Sequence, residues 1–210
     1  MRHFAFTAAS LLCVAVLMTS CSDSSSKMQT GMSAPELRPL AAAGSRPPAV
    51  GEKAMDFALQ TLHGDTFRLS RQLTEGPVVV LVLRGWPGYQ CPICTRLVGQ
   101  FLARGGDLNA AGAQVVLIYP GPAERLGDHA REFSHEMMFP PHFTFVTDPD
   151  YVFTQDYGLR WEVPRETAYP STFVIDREGI VRFAKISHTH GDRADIADVL
   201  AALSAATPSM

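Results

Sequence analysis

The chain has 210 residues, enough for one domain of ordinary size with a tail to spare. Its 18 Lys and Arg against 21 Asp and Glu leave a formal charge of −3, and no nucleic-acid surface is indicated by that balance. Four cysteines are too few for a disulfide scaffold: Cys13 lies inside an N-terminal apolar stretch, Cys21 closes it, and Cys91 and Cys94 belong to the body.

Residues 1–20 read as a targeting segment, with Arg2 and His3, an apolar core over 4–18, and small Thr19 and Ser20 before Cys21. The core is too short to span a bilayer comfortably. Leu17-Met18-Thr19-Ser20-Cys21 resembles a bacterial lipobox, which implies lipidation of Cys21 and a membrane-held protein facing the periplasm. The plainer alternatives are an ordinary signal peptide or an uncleaved anchor, and all three place the domain outside the cytoplasm. Ser22, rather than Asp, follows the cysteine, which permits an outer-membrane destination. Residues 21–50 are rich in Ser, Ala, Pro and Gly with no sustained apolar period, the composition of a tether. Export carries the remaining cysteines into an oxidising compartment, where a disulfide persists unless reductant is supplied.

The domain is expected over 51–205. Phe57, Leu59, Leu62, Phe67 and Leu69 around His63-Gly64-Asp65 predict a hairpin. The apolar, β-branched run 78–83 reads as a strand buried on both faces. A helix with Leu97, Val98, Phe101 and Leu102 follows and stops at Gly105-Gly106. Then come a buried strand over 114–119, a polar helix near 123–136, an extended piece over 143–146, and a short helix around 151–157 opened by Asp148-Pro149-Asp150. Strands over 171–175 and 180–186 flank Asp176-Arg177-Glu178-Gly179, a strong hairpin signal, and an amphipathic helix over 194–203 closes the domain. This order predicts an α/β fold, a central mixed β-sheet with helices on both faces.

Between the strand over 78–83 and its helix stand Trp86-Pro87-Gly88-Tyr89-Gln90-Cys91-Pro92-Ile93-Cys94. Two thiols therefore sit at the C-terminal end of a strand, the edge where active sites of open α/β sheets collect. Pro92 suits the first helical position, where its missing N–H has no intrahelical partner. Cys91 and Cys94 then share the first turn, where unpaired amides and the helix dipole favour a thiolate. Residues three apart on a helix are neighbours, so the pair can form a disulfide reversibly.

Four segments give the chain a resemblance to thioredoxin-fold redoxins, most of all the peroxiredoxin-like AhpC/TSA family. They are Asp56-Phe57-Ala58-Leu59 before Gly64; Pro87 leading to Cys91-Pro92-Ile93-Cys94-Thr95; Thr147-Asp148-Pro149 leading to Asp156-Tyr157-Gly158-Leu159; and Tyr169-Pro170-Ser171-Thr172-Phe173-Val174-Ile175-Asp176 leading to Gly179. The resemblance covers about 51–203 and implies a thioredoxin-like fold. Peroxiredoxins carry a Pro, a Thr or Ser, and the peroxide-attacking Cys at the spacing held here by Pro87, Cys91 and Cys94. By that resemblance Cys94 is the peroxidatic thiolate and Cys91 condenses with its sulfenic acid. Thioredoxins and membrane-tethered thiol-disulfide reductases use the first Cys instead, so that Cys91 attacks and Cys94 resolves.

The two branches differ before the Ser-Thr-Phe strand: some peroxiredoxins have their catalytic Arg there, thioredoxins a cis proline that faces the Cys pair and binds substrate backbone. Pro170 holds the position here. Arg84, Arg96, Arg160 and Arg165 are candidates for the missing charge, each more readily read as a surface or ion-pairing residue. Trp86 and Tyr89 are either packing aromatics or a shield that shapes a substrate groove. Met137, Met138 and Phe139 pack a helix end, and His188-Thr189-His190-Gly191 is a polar loop. The non-enzymatic alternative is a metal site at the Cys pair: zinc, weakened by the absence of a second CxxC, or copper as in Sco-type chaperones, weakened because those space their cysteines by three residues against two here.

The leading expectation is a thiol-dependent antioxidant oxidoreductase that reduces peroxides by a Cys91/Cys94 dithiol-disulfide cycle. The alternative is a periplasmic thiol-disulfide reductase acting on exported proteins. Pro170, Pro87, Trp86 and Tyr89 are expected to bind substrate. No cofactor is expected; the electron donor would be thioredoxin-like or a membrane protein.

Overall fold

The computed structural model describes residues 46–206. The targeting segment, the lipobox with Cys21 and nearly all of the tether lie outside them. Seven strands and six helices follow in the order β1 (Ala58–Thr61), β2 (Thr66–Arg68), α1 (Leu69–Gln72), β3 (Val78–Val82), α2 (Pro92–Ala103), α3 (Gly105–Ala110), β4 (Gln114–Gly121), α4 (Leu126–Ser134), β5 (Phe143–Pro149), α5 (Val152–Asp156), β6 (Ser171–Ile175), β7 (Val181–Ile186) and α6 (Ile196–Ala206).

The strands form one mixed sheet in the order β2-β1-β5-β4-β3-β6-β7. β3, β4 and β5 run parallel, while β1 and β6 are antiparallel to their neighbours β5 and β3. β3 is an interior strand and every one of its side chains is buried, which is why its sequence is a continuous apolar run rather than an alternation. Val79, Leu81 and Leu83 point to the face covered by α2, α3, α4 and α6. Val78, Val80 and Val82 point to the opposite core with Phe57, Phe67, Leu69, Phe153 and Tyr157, contributed by the first hairpin, α1 and α5. The sheet is thus covered on both faces, as the strand and helix order predicts.

Three expectations need correction. Gly105-Gly106 ends α2 but also opens a further short helix, α3, whose Leu108 is fully buried. The strand expected to stop at 119 runs on through Pro120 and Gly121, because β5 continues beside it to Pro149. Met138 is 91% exposed and packs nothing, whereas Met137 and Phe139 join the core.

Other local signals act as read. The buried Asp148 carboxylate accepts the N–H groups of Phe153 and Thr154 at 2.8 and 3.1 Å, satisfying donors that α5 would leave unpaired. Asp176 accepts from Glu178 and Ile180 within the last hairpin, at 3.0 and 2.8 Å.

Beyond β3 the chain must turn back toward α2 while passing close to β4. Gly85 permits this at φ +69°, and a Cβ there would collide with the Pro120 carbonyl. Gly85→Ala is therefore expected to destabilise the fold by about 2–4 kcal/mol. A urea midpoint equal to wild type would show that the turn relaxes freely.

Candidate active site

The site begins where β3 ends. The Leu83 N–H still pairs with the Ile118 carbonyl at 2.9 Å and the Trp86 N–H with the Pro120 carbonyl at 3.0 Å, so β4 guides the chain past the sheet edge. Pro92 then takes the first turn of α2, with Cys91 as an extended N-cap at φ −84° and ψ 109°. The Cys94 N–H donates to Cys91 Sγ at 3.4 Å, so the sulfur fills the place of an ordinary capping oxygen. Cys94 Sγ accepts the Arg84 N–H at 3.4 Å. Both cysteines are free thiols and buried, 4% exposed for Cys91 and 1% for Cys94.

The two sulfurs are electrostatically unequal. The hydrogen bond from the Cys94 thiol, the amides of Cys94 and Ile93, and the charge of Arg193 together outweigh burial and hold the Cys91 thiol well below the usual range. The same hydrogen bond, burial and the negative charge of Cys91 push Cys94 well above it. These interactions favour negative charge on Cys91 and a proton on Cys94. The order implied by the peroxiredoxin spacing, Cys94 first, is the reverse of the order these interactions favour.

One wall is built on Arg84. Its side chain is 5% exposed and grips Glu166, itself 8% exposed, through Nε to Oε2 at 2.8 Å and Nη2 to Oε1 at 2.9 Å. Nη2 also donates to the Arg165 carbonyl at 3.0 Å, Nη1 bonds the Tyr89 hydroxyl, and the Thr167 hydroxyl donates to the Arg84 carbonyl. Glu166 Oε1 also meets His190 Nε2 at 2.8 Å. Burial works against its ionisation, but Arg84 and His190 hold the Glu166 carboxyl below its ordinary range. Trp161 stacks on Tyr169 at 4.8 Å, and Tyr169 lies 5.0 Å from His188, so the predicted polar loop packs into an aromatic wall.

The opposite wall joins β4 to α4. Trp86 stacks on His129 with ring centroids 3.6 Å apart and planes 8° from parallel. Gln90 donates to the His129 carbonyl at 2.9 Å and accepts the Tyr119 hydroxyl at 2.8 Å. Burial raises the Tyr119 hydroxyl, and charge on the thiols adds to it.

Of the residues expected to bind substrate, Trp86, Pro87 and Tyr89 all lie in the turn before Cys91. Trp86 is half-buried against His129, while Tyr89 is 48% exposed and tied to Arg84. Pro170 is buried one residue beyond Ser171, whose partner is Val82, and so stands at the level of Leu83; its carbonyl accepts the Ser187 N–H at 2.9 Å.

The four arginine candidates separate. Arg84 reaches Cys94 with its backbone but commits its guanidinium to Glu166. Arg160 binds the carbonyls of Trp161, Glu166 and Thr167 and lies over Tyr151 at 4.0 Å. Arg96 and Arg165 are exposed. Sequence reasoning missed Arg193, Glu166, Gln90, Tyr119 and His129. Gln90 stands beside Cys91 in the turn but gave no sign of its partners, and the other four reach the site from distant segments; the lone available signal was that the loop after β7 returns to the same sheet edge. Among the described residues, no three His, Cys, Asp or Glu side chains converge as metal ligands.

The sequence profile of the AhpC/TSA family matches residues 50–184. No curated protein sequence matches significantly. Among solved structures, the peroxidoxin BcpB of Mycobacterium tuberculosis superposes with a TM-score of 0.60 at 23% identity, covering 77% of this chain and 99% of that one. A candidate thiol:disulfide interchange protein DsbE of Chlorobium tepidum gives 0.55 at 27% identity, covering 74% and 99%. A yeast mitochondrial 1-Cys peroxiredoxin gives 0.60 at 14% identity, covering 75% of each chain. The α/β fold with its seven-stranded mixed sheet is thioredoxin-like.

The inequality of the thiols has a direct readout. Iodoacetamide at mildly acidic pH is expected to label Cys91, with Cys94 untouched until denaturant is added. Because the Cys91 thiolate is stabilised in the fold, labelling should persist far below the ordinary thiol pKa of about 8.5 and fall off only in more acidic solution. Equal labelling of both cysteines in the folded protein would contradict the assignment.

Proposed function

The chain belongs to the AhpC/TSA family, and on that premise we propose that it is a thiol-disulfide oxidoreductase in which Cys91 attacks and Cys94 resolves. Members of this family are thiol peroxidases or thiol-disulfide oxidoreductases, so a thiol redox cycle is common ground. The observation that carries the finer reading is the donation of the Cys94 N–H and thiol to the Cys91 sulfur. It supports reading the sulfur at the mouth of the helix as the nucleophile and the deeper one as its protonated partner.

The exchange follows from that arrangement. The Cys91 thiolate attacks one sulfur of a substrate disulfide, forming a mixed disulfide and releasing the other sulfur as a thiolate. Cys91 no longer carries charge, so the Cys94 proton is held less tightly and passes to the departing thiolate. Cys94 then attacks Cys91, and the second substrate sulfur leaves as a thiolate that takes a proton from solvent. The substrate disulfide is reduced by two electrons and Cys91-Cys94 is oxidised by two. A dithiol donor, thioredoxin-like or membrane-borne, would reset the pair.

The likeness to the DsbE candidate and the place of Pro170 at the sheet edge support a disulfide substrate. With the export and lipidation signals read from residues 1–21, we place the reaction in the cell envelope, with exported proteins as substrates. Peroxide is the second reading, favoured by the family profile and by the BcpB likeness in fold. There the thiolate takes one peroxide oxygen as a sulfenic acid, the other leaves as hydroxide or alkoxide, and the partner thiol expels water to close the disulfide.

Single-cysteine variants separate the readings. Cys94→Ser is expected to trap a mixed disulfide through Cys91 with a disulfide-bonded peptide, whereas Cys91→Ser should react about 100-fold more slowly near neutral pH. Sulfenic acid formation at Cys94 in Cys91→Ser, faster than at Cys91 in Cys94→Ser, would restore the peroxiredoxin order.

A further inference from the structure

Ile186 at the end of β7 pairs with Ser171, and Ser171 pairs with Val82 at the end of β3. The loop leaving β7 therefore emerges at the sheet edge where β3 delivers Arg84 and the cysteine turn. That loop carries Arg193. Its Nη1 donates to the carbonyls of Thr189 and Asp192 at 3.2 and 2.9 Å, which fixes the guanidinium. Its Nε and Nη2 are buried and have no hydrogen-bond acceptor among the described residues.

This edge of a guanidinium is the one that grips a carboxylate in a bidentate pair. Arg84 in the same site shows it filled, with Glu166 accepting from Nε and Nη2 at 2.8 and 2.9 Å. Among the described residues, Arg193 has no such carboxylate. The neighbouring Asp192 is taken by Lys185 at 2.7 Å. Burying a guanidinium with two unmatched donors is costly unless negative charge stands near it. The thiols are the nearby source of negative charge, and the field of Arg193 acts on both of them. Of the other titratable bases around the pair, His190 shares Glu166 with Arg84, and His129 lies 3.8 Å from Glu132. Arg84 is neutralised by Glu166, while Tyr119 and, beyond it, Glu132 bring negative or neutral groups from β4 and α4.

We infer that Arg193, delivered by the loop between β7 and α6, is the cation of the dithiol site, its uncompensated charge holding the reduced pair in the form with a Cys91 thiolate. The role passes to a residue from the far end of the domain, while the position where the peroxiredoxin resemblance expects an arginine is Pro170. Arg193 acts through Cys91 and is a positioning residue in this sense. The inference rests on the reading of Cys91 as the nucleophile.

The test is the pH profile of Cys91, read as ultraviolet thiolate absorbance and as iodoacetamide labelling located by mass spectrometry, in wild type, Arg193→Gln and Arg193→Lys. Arg193→Gln is expected to raise the Cys91 pKa by about one unit, which below that pKa is about tenfold less thiolate. Arg193→Lys should restore most of the shift. A folded Arg193→Gln with the wild-type profile, in a protein whose Cys91 is acidic, would overturn the inference and leave the nucleophile assignment standing. An ordinary thiol profile at Cys91 in wild type would overturn both. The unmutated protein gives a reading independent of folding: the Arg193 Nε–H nuclear magnetic resonance signal should move when the disulfide is reduced, and an unmoved signal would also overturn the inference.

Discussion

The complete burial of β3 is the constraint on which the rest depends. With β4 on one side and β6 on the other, and cores on both faces, the strand has no freedom to slip: a shift of one residue would exchange Val79, Leu81 and Leu83 with Val78, Val80 and Val82. Everything at the site is positioned from its end. The Arg84 N–H is held at Cys94 Sγ because Leu83 remains bonded to β4, and Gly85 turns the chain where no side chain would fit.

From that fixed point the chemistry arises as a difference between two otherwise identical thiols. Both are almost fully buried, so exposure alone does not distinguish them. Direction of hydrogen bonding does. Cys91 receives donors from Cys94 and Ile93, while Cys94 receives the Arg84 amide and donates its own S–H in a hydrogen bond to Cys91. Desolvation amplifies the contrast, since a buried charge is tolerated where donors converge and penalised elsewhere.

What the sequence made legible was whatever depends on neighbours along the chain. The run 78–83 announces a doubly covered strand, Pro92 places the helix start, and Asp148 and Asp176 mark their turns. The AhpC/TSA membership is likewise carried by local motifs in the right order. The walls of the site were not legible, because Glu166 finds Arg84 across the sheet edge and His129 finds Trp86 from α4. Arg193 shows the limit most clearly: an arginine in a polar loop carries no sign of its own that two of its donors will be buried without acceptors. Gly105-Gly106 failed for another reason, since the dipeptide that breaks one helix gives freedom enough to start the next, and the buried Leu108 rewards doing so.

The buried contact between Arg84 and Glu166 also divides the molecule by its response to ionic strength. The pairs Arg104–Asp107, Arg125–Asp128 and Arg131–Asp128 on the outer helices are solvent-exposed, and mobile ions weaken such attractions over a Debye length of about 8 Å at physiological salt. The pair at the site, with side chains 5% and 8% exposed, is largely out of reach of those ions. Rising salt therefore loosens the periphery before it touches the join between β3 and the segment leading to Pro170. The geometry of the thiols is thereby insulated from the salt of the surrounding medium.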